Sequence, residues 1–306
     1  MSFTKTKFIN QLLLTRVIRN ITFLFKTIFI LCGQLSIVLG TCFYCIRGAK
    51  KAYENNTSFA GIHFRASMNM NKQLDLVPYY PAPNHYPCEM FKQVPSKDNP
   101  AKSDTVTVMA MDKDHRIKLI KDGYMDKQGG GTVYTAFVLW TISLFLCTFF
   151  ASTGISTQTG MIFFTISSLT FGPLLAFIML EMDENDGFNA LKIVFLVTLI
   201  AGLIGYSDIY SFSESSFLIG FLLISLLGLI VFEFIRIFKG FSRSAIRIKA
   251  IFGAFIFSVF LLVDFNLLRK KSDFGINDWD TAFNLAFQIY LDIINLLLEI
   301  LDAMSN

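Results

Sequence analysis

The chain is predicted to be an all-α integral membrane protein, a bundle of seven transmembrane helices, and three observations predict it. Hydrophobic residues make up 53% of its 306 residues and charged residues only 16%, against about 25% charged in soluble domains. The mean hydropathy is +0.53. Seven apolar runs are each long enough to cross a hydrocarbon core of about 30 Å as a helix, and beyond the first they follow one another through short connections. The net charge of +4 is small. No basic cluster is interleaved with aromatic residues, so the expected partner is membrane lipid and not nucleic acid. No cofactor is expected. Cys42 and Cys45 form a C-x-x-C inside an apolar run, and His63, His85 and His115 show no paired spacing. Neither pattern suggests a redox motif or a histidine metal site.

Residues 1–20 carry Lys5, Lys7, Arg16 and Arg19 around FINQLLL, which predicts a basic amphipathic helix at the interface. The first transmembrane helix is expected at 21–46, interrupted only by Lys26 and Gln34. It exceeds the apolar core of a signal peptide, so a retained span is expected. Residues 47–132 are the one long polar stretch. Six of the chain's seven prolines lie between Pro78 and Pro100, a composition that favours extended or disordered chain. Thr105 to Leu119 alternates like a strand, so a small cap is the other expectation. Gly129-Gly130-Gly131 reads as a hinge into the membrane block, 133–306.

That block holds six further spans, at Val133–Ser152, Gly160–Leu180, Phe188–Ser207, Phe217–Phe238, Ala245–Leu268 and Thr281–Leu301. Gly172-Pro173 predicts a kink in the third span of the chain, because proline removes a backbone donor. Gly220, Ser225 and Gly228 predict close packing of the fifth. Basic residues are nearly balanced between the two faces; a cytoplasmic N-terminus is the expectation.

The last span carries Asn284, Gln288, Asp292, Asn295, Glu299 and Asp302. At 100° per residue these fall within roughly 80° of one another, one polar stripe on an apolar helix. An ionised carboxylate at membrane depth costs about 3 kcal/mol on insertion scales, unless it faces protein, water or a cation. Asp292, mid-span, is therefore a functional candidate. Asp264 in the preceding span is a second, although the neighbouring Arg269-Lys270-Lys271 offers it the plainer role of interfacial counter-ion. If the two carboxyls approach, their repulsion favours a shared proton. Such a pair can also bind Ca²⁺, which takes carboxylate oxygens. Asn284, Gln288, Asn295 and Glu299 are candidate lining groups, with Glu299 and Asp302 expected to reach the interface. Glu181, Asp183 and Glu184 fall in a short loop and are either simply solvated or a cation-attracting mouth.

The closing segment, VFLLVDFNLL followed by GINDWDTAFNLAFQIYLDIINLLLEIL, resembles the signature of the Bax inhibitor-1 family, which includes the lifeguard-like proteins with a transmembrane Bax inhibitor motif. Asp264 matches the family's penultimate-helix aspartate. Tyr290, Leu291, Asp292, Ile293, Ile294 and Asn295 match its last-helix motif almost letter for letter. Thr170 to Phe177, TFGPLLAF, is similar to its G-P-x-L segment, and Ile28 to Thr41 is loosely similar to its first helix. The resemblance covers the membrane part, roughly two thirds of the chain. It implies seven helices with the last one central, and a pH-sensitive Ca²⁺ leak through the endoplasmic reticulum or another endomembrane. In eukaryotic members it also implies modulation of cell death, with cell-death regulators as membrane partners. Asp264 and Asp292 would be the proton-sensing and Ca²⁺-handling pair. The family's F-D-T-Q reads here Val263-Asp264-Phe265-Asn266, and the second span has no arginine to latch the pair. The polar insert at 47–132 is outside the usual pattern.

No enzyme is expected. An intramembrane aspartyl protease also uses two membrane aspartates as general acid and base. Its Y-D, G-x-G-D and P-A-L runs are absent, since Asp264 follows Leu262-Val263 and Asp292 follows Tyr290-Leu291. A non-conducting regulator acting through other membrane proteins is the remaining alternative. In that case the stripe would be contact between helices, worth about 1 kcal/mol per hydrogen bond.

Overall fold

A computed structural model describes residues 2–55, 59–60, 62–68, 74–79, 86–95, 103–126, 131–154, 156–182 and 184–304. Seven of its helices are long and apolar enough to cross a membrane. They are α1 (Ser2–Glu54), α3 (Gly131–Thr153), α4 (Thr157–Met182), α5 (Glu184–Tyr206), α6 (Ser216–Phe238), α7 (Arg243–Asp273) and α8 (Trp279–Met304). The six spans expected in the membrane block coincide with α3 to α8 to within a turn or so at each end. Apolar side chains point outward all round: Phe145, Phe195, Phe217 and Ile224 are each more than 70% exposed, as lipid-facing positions require.

The last helix is the centre of the bundle. Two thirds of its span is buried (67%), against 11% for α3 and 17% for α6. It touches α1, α3, α4, α5 and α7. Its apolar face carries Phe283, Phe287 and Tyr290, which meet the Phe164 ring of α4 edge-on at 4.8 to 6.2 Å. Such contacts replace the hydrophobic effect that is missing between helices in lipid.

Helix starts are fixed by short polar side chains. Ser215 accepts from the Leu218 amide at the head of α6, and Ser242 from the Ala245 amide at the head of α7. Asp278 caps α8, accepting from the Thr281 amide at 2.7 Å and from its hydroxyl at 3.1 Å. Each satisfies a donor that the first helical turn leaves free.

Three local expectations need correction or qualification. The proline-rich stretch contains two strands, β2 (Leu74–Tyr79), paired antiparallel with β1 (His63–Met68), and β3 (Cys88–Pro95). β3 is central in a second antiparallel sheet, order β4-β3-β5, with β4 (Ser103–Ala110) and β5 (Met125–Asp126). The alternation from Thr105 holds only to Ala110. Asp112 then caps a helix, α2 (Lys113–Lys121), that closes a small core of Cys88, Met90, Ala110 and Leu119. Second, Gly220 and Gly228 do not mediate close packing, for nothing lies within 4 Å of where their Cβ atoms would be. Close approaches of helix backbones occur instead at Gly172, where a Cβ would collide with Thr41 and the Val38 carbonyl of α1, and at Gly205, where it would meet the Leu262 carbonyl of α7. Third, Pro173, the proline expected to kink the third span, lies inside α4, which runs as one helix through it. The first helix is also unbroken from Ser2 to Glu54, without a break between its basic start and its apolar span. Of the glycine hinge, Gly131 opens α3 and the other two residues lie outside the described residues.

A carboxyl pair and a charged cavity on the central helix

Asp264 lies nine residues before the end of α7, and Asp292 sits at the middle of α8. The two helices are neighbours through most of their length. Their packing brings the two carboxyls within hydrogen-bonding reach of each other. Asp264 is 9% exposed, and its Oδ2 has no hydrogen-bond partner. Asp292 is half-buried. Neither carboxyl has a cation against it among the described residues. The counter-ion role for Asp264 is excluded by what its basic neighbours do. Arg269 pairs with Asp273 at 3.0 Å and lies over the Tyr206 ring, and Lys270 pairs with Glu214.

Two ionised carboxylates within hydrogen-bonding reach of each other, with no cation beside them, repel strongly. One proton held between them turns the repulsion into a short charge-assisted hydrogen bond. The pair can therefore hold a proton, exchange it, or trade it for a cation. Among the described residues no group of three or more His, Cys, Asp or Glu side chains assembles around the pair. Ca²⁺ takes six to eight oxygens, so here it would draw most of them from water and backbone, as a passing ion.

The rest of the stripe divides at Asp292. Toward the start of α8, Asn284 is half-buried and Gln288 exposed. Toward its end, Asn295, Glu299 and Asp302 line a cavity of about 640 Å³ between α4, α6, α7 and α8. Glu299 does not reach the interface. It is 8% exposed, and both its oxygens accept from Lys249 Nζ, at 2.9 and 3.0 Å. Lys249 also contacts Glu233 of α6. Asp302 is held by Arg236 of α6, at 2.9 and 3.3 Å. Gly253 of α7 makes room for the Glu299 carboxyl, since a Cβ there would lie 2.5 Å from its Cδ. The side chains of Glu181, Asp183 and Glu184 lie outside the described residues.

Lys249, Arg236 and Glu233 were not singled out from the sequence. The available signal was the depth of Lys249, six residues into an apolar helix, where an ammonium needs a partner. Asn266 was noted only as a departure from F-D-T-Q. It is fully buried and staples the α5–α6 loop to α7. Its amide donates to Asp208 Oδ1 at 3.0 Å and to the Gly205 and Tyr210 carbonyls, and its oxygen accepts from the Ser213 amide and hydroxyl. The loop is thereby fixed two residues along from Asp264.

One comparison with known proteins adds to this geometry. A family model described as "Inhibitor of apoptosis-promoting Bax1" matches residues 106–306, which takes in α3 to α8 and both aspartates.

Proposed function

The chain belongs to the Bax inhibitor-1 family, and from that premise we propose that it is a pH-sensitive cation leak pathway, for Ca²⁺ foremost, controlled by the proton that Asp264 and Asp292 share. The observation that carries the proposal is the meeting of two carboxyls inside the bundle with no cation against either. A proton and Ca²⁺ compete there for the same oxygens, so Ca²⁺ occupancy of the pair rises with pH and falls as acid neutralises it. With one proton between them the carboxyls tie α7 to α8. With none they repel, and with two they carry no charge to attract a cation. Flux thus depends on pH through these two side chains. Asn284, Gln288 and Asn295 continue the polar stripe on either side of the pair. An endomembrane that stores Ca²⁺, such as the endoplasmic reticulum, is the setting in which such a leak has consequence. Modulation of cell death, with cell-death regulators as membrane partners, is the outcome that family membership supports.

The test is Ca²⁺ release from liposomes holding the purified protein, measured across pH 5 to 8 for wild type, Asp264→Asn and Asp292→Asn. The expected result is a pH-dependent flux in the wild type and a flat profile in both variants. Equal, pH-independent flux in all three sinks the mechanism. Protein that conducts nothing at any pH, yet alters cell survival, replaces it with a regulator acting through partners.

A further inference from the structure

Between the carboxyl pair and the membrane face at the end of α8, the polar stripe runs into an ammonium group. Asn284, Gln288 and Asp292 all retain exposure, but one turn past Asn295 the stripe closes at Glu299. Lys249 Nζ sits there, bound to both oxygens of Glu299 and in contact with Glu233. The Lys249 and Glu299 side chains are only 9% and 10% exposed. The surrounding cavity is large enough for several waters, so the ammonium is not walled in by apolar packing. We propose that Lys249 is a tethered cation that occupies the place of a permeating one, plugging the pathway between the carboxyl pair and the membrane face at the C-terminal end of α8.

The physical case rests on what the two carboxylates see. A compact, strongly hydrated ammonium with three donors neutralises a carboxylate pair much as a small inorganic cation would. Because it is covalently attached, it cannot leave along the pathway. A second cation arriving from the pair meets a filled site and a like charge, so the lysine slows the leak without abolishing it. The plug is seated by α6, which supplies Glu233 and Arg236 and otherwise packs chiefly on α7. Arg236 on Asp302 and Arg247 Nε on the Ala303 carbonyl, at 3.1 Å, hold the end of α8 around it. Gly253 shows that the site is built for this carboxyl, because α7 carries no side chain where Glu299 lies against it.

This inference deepens the leak reading and rests on it, but part of its test is independent of flux. Lys249→Met in lipid nanodiscs is expected to bind one Mn²⁺ more than the wild type, read by the loss of free Mn²⁺ signal in electron paramagnetic resonance. In liposomes it is expected to release Ca²⁺ several-fold faster. Lys249→Met/Glu299→Gln is charge-balanced, so it serves where the single variant fails to fold. It is expected to leak faster too, without the added Mn²⁺. Lys249→Arg is expected to match the wild type in both readouts. No added Mn²⁺ in folded Lys249→Met, or a wild-type leak in the double variant, overturns the plug. If no protein conducts at any pH, the leak reading fails by itself, and Mn²⁺ uptake by Lys249→Met still shows whether the lysine fills a cation site.

Discussion

Asp292 and Glu299 project from the same face of α8, seven residues and about 10 Å apart, and they are accommodated by different means. Glu299 is matched: a lysine from α7 binds both its oxygens, and the glutamate of α6 shares that lysine. Asp292 is unmatched, with a second acid as its partner and an oxygen of that acid left without a hydrogen bond. The first arrangement is stable only while every member stays, and it holds α6, α7 and α8 in register. The second is tolerable only while a proton or a cation is present, so its state follows the solution. On the proposed reading, a fixed tie and a responsive pair share one helix face, separated by two turns.

The largest expected effect tests that contrast directly. Removing one member of a buried ion pair strands the other and costs about 3–5 kcal/mol, so Lys249→Met should lower the thermal stability of the protein sharply. Asp292→Asn should cost almost nothing, because an amide can donate to Asp264 the hydrogen bond that a shared proton would make. Thermal unfolding in detergent, at pH 7 for both variants, makes the comparison. Equal losses would mean that the two sites are not different in kind.

A smaller effect is expected at Asn266, which sharpens the comparison by asking what holds Asp264 in place. Asn266→Ala leaves the Ser213 amide and the Tyr210 carbonyl of the α5–α6 loop, and the Gly205 carbonyl of α5, without their partner, at a cost of about 2 kcal/mol. It should also loosen the loop. Faster amide hydrogen exchange at residues 207–215, with α6 to α8 unchanged near Glu299, is the expected signature. Exchange unchanged in the loop would show that Asn266 is not its anchor.

How much of this was legible beforehand differs by region, for physical reasons. The spans of the membrane block were legible because lipid demands long apolar runs, and only helices satisfy the backbone there. Asp292 was legible because its depth is costly and its neighbours match a known motif. That Asp264 faces it came only from the resemblance, since nothing in spacing relates residues on two helices. The partners of Glu299 and Asp302 were hidden for the same reason. A charge near a span end can snorkel to water or turn inward to an opposite charge, and the choice is made by helix packing. The cap misled in a third way. Proline-rich chain has little propensity for sheet, yet β2 and β3 are held by pairing with strands that flank the proline run on either side.

Asp278 supplies the smallest expected effect and a control for the other two carboxyls, because it caps α8 just before the apolar span begins. Desolvation is the largest single influence on its pKa and works to raise it. The hydrogen bonds from Thr281 and the nearby Lys26 charge outweigh that, and the carboxyl sits below its ordinary range. A depressed pKa in the folded state contributes stability that is present above the unfolded value, near 3.9, and is lost as pH falls through the folded value. Asp278 therefore stabilises the head of α8 at neutral pH and ceases to do so only in strong acid, well below the range in which the flux is expected to change. Asp278→Ala should cost about 1 kcal/mol at pH 7, the usual worth of an N-cap. Asp278→Asn should keep most of it, since an amide oxygen can still accept from the Thr281 amide. Neither substitution should move the pH profile of Ca²⁺ release. A shifted profile in Asp278→Asn would place the pH sensor at the mouth of α8 and not at its midpoint.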